Sequence, residues 1–223
     1  MAEHKVKIQS IYKVTHDVLQ IIIEKPTGFN FTPGQATEIA INKEKWQDEG
    51  RPFTFTSLPR DKHLEFTIKT YPERKCVTNE LLTLKAGDEL ILRDIFGAIE
   101  YKGEGIFIGG GAGVTPFISI FRNLKSKNET GNNKLIFANK IKADIIHEKE
   151  FKDLLGKNFI NILSQEKTNE YAYGLITQNF LKANINGPGK KNYICGPPPM
   201  MEAVEQYLAN LHVPEQDIVK EEF

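Results

Sequence analysis

Two grammars of hydrophobic spacing divide the chain. From residue 5 to residue 93, β-branched and other apolar residues alternate with polar ones in short runs at 6–14, 18–24, 36–41, 53–56, 64–70 and 89–93. Alternation with period two marks half-buried strands, and the breaks at Pro26, Gly28, Pro33, Gly34, Gly50, Pro59 and Gly87 have the spacing of an antiparallel barrel. A helix is predicted within it, capped by Thr78 and running about two turns to Leu84 before Gly87 stops it. Beyond Gly97 the runs become continuous and apolar, at 106–109, 134–139, 158–163 and 192–195, and they alternate with helical segments at 116–127, 148–155, 177–182 and 199–211. That order is the signature of a parallel, doubly wound sheet with right-handed crossovers. Residues 218–223 read as a last strand ending on an aromatic side chain. The expected fold is an antiparallel β-barrel domain over residues 1–98, followed by an α/β Rossmann-like parallel-sheet domain over 99–223.

Composition narrows the chemistry. A length of 223 residues accommodates two domains that each bury a core. The 29 basic and 29 acidic side chains cancel, which argues against a general binder of nucleic acid or anionic membranes. No run approaches the ~18 apolar residues of a membrane span, and the first residues lack the apolar core of a signal peptide, so a cytoplasmic protein without membrane insertion is expected. With Cys76 and Cys195 as its only cysteines, the chain has no disulfide framework and no set of four thiolates for an iron-sulfur cluster. Its five histidines show no ligand spacing and no G-x-S-x-G elbow occurs, so no metal site and no hydrolase are expected.

Four motifs remain. The junction between the run at 106–109 and the next helix consists of Gly109, Gly110, Gly111, Ala112, Gly113, Val114 and Thr115, with Thr115 placed as an N-cap before Pro116. Such a turn lets backbone amides and a helix N-terminus meet a phosphate, but tight strand–helix packing demands small residues equally well. Its spacing is neither G-x-G-x-x-G nor a P-loop, so both readings stand on its own residues. The other three motifs are Arg51-Pro52-Phe53-Thr54, Lys75-Cys76-Val77-Thr78, and Cys195-Gly196-Pro197-Pro198-Pro199-Met200 at the end of a predicted strand.

Together these resemble the ferredoxin-NADP reductase superfamily, whose barrel carries Arg-x-Tyr-Ser/Thr and whose second domain carries Cys-Gly-Pro-x-x-Met; the resemblance runs from about residue 5 to the end in the same order. It implies a flavin domain followed by an NAD(P) domain. Arg51 would meet the FAD diphosphate, Pro52 would be part of the cofactor-binding strand, Phe53 would cover a face of the ring in place of the commoner tyrosine, and Thr54 would bond near the flavin N5. Val77 and Thr78 would present a helix N-terminus to the same diphosphate, where Cys76 stands in place of a frequent glycine. Residues 109–115 would then hold the diphosphate of NADH or NADPH, Cys195, Gly196 and Pro197 its nicotinamide, and Phe223 would gate the flavin face. NADPH-using relatives carry Ser-Arg-Glu where this chain has Ser164, Gln165 and Glu166; a neutral Gln165 favours NADH, although Lys140, Lys142 or Lys167 could replace the missing charge. The implied activity passes a hydride from NAD(P)H to FAD and then single electrons to a separate ferredoxin or flavodoxin, steered by Lys69, Arg74 and Lys75. Two alternatives are a non-catalytic electron-transfer subunit of a larger complex and a flavin-free nucleotide-binding regulatory module.

Overall fold

The structure is a computed structural model that describes residues 3–73, 76–185 and 189–221. It separates into two compact units, Met1–Gly97 and Ala98–Phe223.

In the first unit, strands β1 (His4–Lys13), β2 (Val18–Glu24), β3 (Ala36–Ile41), β4 (Arg51–Thr54), β5 (His63–Lys69) and β6 (Glu89–Phe96) form an antiparallel sheet in the order β4-β3-β6-β1-β2-β5. Its two edges meet. Just past β4, Phe55 bridges Phe66 of β5 and the Thr56 N–H donates to the Glu65 carbonyl at 2.8 Å, closing a barrel with few open edges. The inward positions of the alternating runs, among them Ile21, Ile23, Ile39, Leu64, Phe66, Leu90 and Leu92, form its core. Helix α1 (Val77–Glu80) continues as a 3-10 turn over Leu81–Thr83 and adds Val77 and Leu81 to that core. Pro52, which has no N–H to donate, lies on β4, an edge strand of the ladder where the loss costs least.

The second unit is a six-stranded parallel sheet in the order β10-β9-β8-β7-β11-β12. Its strands are β7 (Gly105–Gly110), β8 (Lys134–Asn139), β9 (Phe159–Leu163), β10 (Ala172–Tyr173), β11 (Lys191–Cys195) and β12 (Ile218–Lys220). Helices α2 (Thr115–Ser126) and α3 (Glu148–Leu155) cover one face through Phe107, Phe117, Phe121 and Phe151, while α4 (Gln178–Asn184) and α5 (Pro198–Asn210) cover the other through Ile106, Ile108, Ile194, Leu181 and Val204. Burial on both faces explains why these strands read as unbroken apolar runs. The sequence reading lacked β10, and its final strand is shorter than expected: β12 ends at Lys220, and Phe223 lies outside the described residues.

One topological fact positions the site. After β7 the chain moves outward through β8, β9 and β10, then returns to place β11 on the other side of β7. The order therefore reverses between β7 and β11, and ligands of doubly wound sheets bind beyond the strand ends at such a reversal.

Candidate functional site

At that reversal the glycine turn and the Cys195 turn meet. Cys195 pairs with Gly109 in register, so the chain leaves both strands at one level of the sheet. A methyl carbon built on Gly113 would lie 2.3 Å from the Cys195 carbonyl oxygen, and one on Gly196 would lie 2.6 Å from the Met200 terminal carbon and 3.1 Å from the Gly110 nitrogen. Gly110 is covered by Met200 as well, with the thioether sulfur 2.5 Å from where a Cβ would sit. Gly109 is less constrained, because its nearest neighbour would stand at an ordinary 3.4 Å. Gly111 differs from all of these. Its φ is +52° and nothing lies within 4 Å of the Cβ position, so it opens onto free space at the mouth of the crevice. Different residues of the turn differ in this respect: Gly110 and Gly113 are required by packing, and Gly111 is not.

Thr115 is not an N-cap. Residues Gly111–Val114 already form a 3-10 turn that runs into α2, so Thr115 has helical angles (φ −59°, ψ −42°) where a cap needs extended backbone, and its hydroxyl donates back to the Ala112 carbonyl at 3.0 Å. Pro116 does fall in the first turn, where its missing N–H is harmless. Val114 is buried, and Ala112 is partly open beside Gly111. Residues 109–115 thus provide the features a dinucleotide diphosphate requires: small residues, an open backbone position and the N-terminus of a three-turn helix.

Cys195 is buried, and its thiol is pushed up to about 12, by burial first and then by the charge of Glu221. It is a neutral thiol, suited to packing against a ring and unsuited to act as a thiolate. Glu221 is a site residue absent from the motif reading. Since Ile194 pairs with Lys220, the next residue of each strand falls side by side, and burial raises the Glu221 carboxyl above its ordinary range. Only the pairing of β12 with β11 reveals this neighbour. Gly196 and the exposed Pro197 lead into α5, where Pro197 is the N-terminal flanking residue.

Beyond β9, the Ser164 N–H donates to the Asn139 carbonyl at 3.0 Å and the Gln165 N–H to the Lys140 carbonyl at 2.9 Å, tying that loop to the one after β8. Gln165 is exposed. Of the three lysines that could replace an arginine there, Lys140 is exposed, Lys142 is paired with Glu170 at 2.8 Å and Lys167 lies over the Tyr173 ring at 4.9 Å.

In the first unit, alternation along β4 places Arg51 and Phe53 on one face and Pro52 and Thr54 on the other. The strand starts two residues before the predicted one. Arg51 is exposed, donating to the Gly50 carbonyl at 2.7 Å and pairing with Glu49 at 3.4 Å, an exposed pair of about 0–1 kcal/mol that a diphosphate can displace. Phe53 is half-buried against the barrel core, and Thr54 is half-buried. Thr78 is not the cap of α1: Cys76, with extended angles (φ −152°, ψ 169°), takes that place, and its sulfur lies 3.1 Å from the Thr78 hydroxyl. The helix is a single turn, and its first amides, those of Val77 and Thr78, have no acceptor within the helix. Lys69 is bound to Asp17 at 2.7 Å, while Arg74 and Lys75 lie outside the described residues. Among the described residues there is no cluster able to hold a metal ion, and no helix is long and apolar enough to cross a membrane.

A family model described as an FAD-binding domain matches residues 3–89, and one described as an oxidoreductase NAD-binding domain matches residues 107–206. Both domains and the fold are those of ferredoxin-NADP reductase-like FAD/NAD(P) oxidoreductases. Proteins similar to this chain include the reductase component of propane 2-monooxygenase from Mycolicibacterium smegmatis, 27% identical over 98% of this chain and 67% of that one. NADH-cytochrome b5 reductase 2 from Mycosarcoma maydis is 29% identical over 88% of this chain and 62% of its own length. Among solved structures, a ferredoxin NADP+ reductase from Neisseria gonorrhoeae with bound FAD and NADP superposes with a TM-score of 0.85 at 18% identity, covering 99% of this chain and 98% of that one. The chain spans about two thirds of the length of these curated reductases. The FAD-binding and NAD-binding domain matches follow the order of the two units.

Proposed function

We propose that the chain is a flavin-dependent reductase in which residues 1–98 hold FAD, residues 99–223 receive NADH, and electrons leave one at a time to a separate carrier protein such as a ferredoxin or flavodoxin. The observation that carries this is the reversal between β7 and β11, with an open Gly111 above the α2 N-terminus and the Cys195 turn packed beside it. Bound FAD supplies the chemistry the side chains lack, accepting two electrons together and releasing them singly.

The chain's own part is binding and orientation. Gly109, Gly110, Gly111, Ala112, Gly113, Val114 and Thr115 take the dinucleotide diphosphate, with the Gly111 face as the point of approach. Cys195, Gly196 and Pro197 border the nicotinamide, and the neutral Cys195 thiol offers it a soft, uncharged surface. Arg51 leaves Glu49 for the FAD diphosphate, the amides of Val77 and Thr78 approach the same group, Phe53 lies against the flavin ring with Pro52 next to it in the same FAD-binding strand, and the Thr54 hydroxyl serves as hydrogen-bond partner near N5. Phe223 is assigned the role of a gate over the flavin. Ser164 and Gln165 meet the adenosine end, where the neutral Gln165 favours NADH. The Mycosarcoma maydis relative is an NADH-cytochrome b5 reductase, in agreement with that preference.

Anaerobic mixing of the yellow protein with NADH and with NADPH, followed by flavin absorbance, tests the reading. Rapid bleaching, faster with NADH, is expected; a flavin that neither nucleotide reduces overturns it. A second reading is motivated by the one third of those relatives' length that this chain does not span. As an electron-transfer subunit, it would bleach slowly alone and quickly once its partner is added. A colourless protein that binds NADH without oxidising it would instead be a regulatory module.

A further inference from the structure

The loops that follow β8 and β9 form one surface at the C-terminal edge of the parallel sheet, on the side of β7 away from β11. Besides the two backbone bonds from Ser164 and Gln165, the Lys142 N–H donates to the Glu166 carboxylate at 2.6 Å. In doubly wound sheets the strand end adjoining the diphosphate turn receives the adenosine ribose, so a 2′-hydroxyl and a 2′-phosphate must be told apart here. The phosphate is close to a dianion and requires a cationic partner.

Cations are present, and two of them, Lys142 and Lys152, are occupied. Glu170 takes two of them, with Lys142 Nζ at 2.8 Å and Lys152 Nζ at 2.5 Å. Lys152 also pairs with Glu148 at 2.7 Å, and the Tyr171 hydroxyl donates to the same Glu148 oxygen. The Tyr171 ring lies beneath both ammonium groups, 5.5 Å from Lys142 and 5.3 Å from Lys152. Nearby acids have other duties: Glu166 accepts from the Lys142 amide and Asp144 from the Ile141 amide. Hydrogen bonds from Lys142, then Lys152, hold the Glu170 carboxyl down at about 2, so the clamp stays ionised at neutral pH.

We propose that Glu170 is a specificity-determining residue: by holding Lys142 and Lys152 it withholds from a 2′-phosphate the two cations that would admit NADPH. The inference rests on the NADH reading given above and adds a determinant five positions beyond Gln165 that acts by occupying charge. It assigns the NADH preference to an internal ion-pair cluster as well as to a missing arginine.

The test uses the flavin-loaded protein and the Glu170→Gln variant. Two quantities are measured at low ionic strength: calorimetric binding of adenosine 2′-monophosphate, and steady-state oxidation of NADH and NADPH with ferricyanide as one-electron acceptor. Glu170→Gln is expected to tighten adenosine 2′-monophosphate and to lower KM for NADPH by about two- to fivefold, the range that one exposed charge pair supplies, with KM and kcat for NADH unchanged. Adding Lys142→Met should cancel the gain, whereas Lys142→Met alone should change little. Unaltered adenosine 2′-monophosphate binding, or an equal shift for both dinucleotides, overturns the proposal. A wild-type protein that prefers NADPH would defeat the NADH reading itself; the ratio of the 2′-monophosphate affinities still decides whether Glu170 withholds the lysines.

Discussion

A single added methyl group separates the two duties of the glycine turn. At Gly113 it meets backbone, the Cys195 carbonyl oxygen at 2.3 Å, which cannot move without shifting β11. At Gly110 it meets first the thioether of Met200, the far end of a flexible side chain that can swing away. Gly113→Ala should therefore lower stability by about 1–3 kcal/mol, while Gly110→Ala should cost well under half of that; urea denaturation measures both. Gly111→Val is a different experiment. Free space surrounds its Cβ, but φ of +52° is strained for a β-branched residue and the side chain would project toward an incoming diphosphate. It should weaken NADH binding by at least about tenfold while the protein stays yellow. Loss of flavin with unchanged NADH affinity would mean that the two cofactor sites are assigned to the wrong units.

Among the elements, β11 does more than carry Cys195. Tyr193 is fully buried, stacks on Phe107 with ring centroids 4.0 Å apart, and accepts from the Lys102 N–H at 2.8 Å while donating to the Gly103 carbonyl at 2.7 Å. One hydroxyl thereby holds the segment leading into β7 against β11. Burial pushes this phenol up to about 12, so it keeps its proton throughout the working range. Tyr193→Phe should cost about 1–3 kcal/mol, since it removes two part-buried hydrogen bonds, and the loss should appear in the unfolding of the second unit. Most elements were legible in the sequence because their apolar period is strong: β2, β3, β8 and α3 stand where alternation or continuous runs place them. The exceptions share a cause. Thr115 and Thr78 are good caps by residue type, yet a 3-10 turn in one place and an extended Cys76 in the other move each helix start upstream. The two-residue β10 is too short to show a period. Likewise Glu221 and Glu170 belong to no motif; register and ion pairing between distant segments bring them to the site.

Across the whole molecule, paired acids set the response to pH. Lys190, with the Asn132 amide, holds Glu104 below its ordinary 4.5. At Asp17 and Glu148 burial opposes ionisation, but Lys69 and Lys152 with their hydrogen bonds outweigh it, so both lie below their ordinary values. Acids depressed in the folded state stabilise it above their unfolded values, and that stability is lost as pH falls through the folded ones. The melting temperature should thus hold level from pH 7 to about 5 and decline between about 4.5 and 2, where these groups take up protons. Glu221, raised by burial, acts in the opposite direction and at higher pH: stability rises as pH falls through its folded value toward its ordinary 4.5, so Glu221→Gln should remove a gain that precedes the decline. Thermal melts of both proteins from pH 7 to about 2 decide the matter, and parallel curves above about pH 4.5 would count against the placement of Glu221 beside Cys195.

The contact between Gly113 and Cys195 joins positions about eighty residues apart in the chain, and β7 lies between two strands of which one, β11, is translated far later than the other. During synthesis, β7 and β8 can pair while the glycine turn still lacks its second wall. The nucleotide crevice is then a product of long-range closure, slow by contact order and exposed to competing associations until β11 inserts. A dinucleotide held as proposed would need both walls and should stabilise only chains that have completed that insertion, which would make it a selective trap for the correctly threaded sheet.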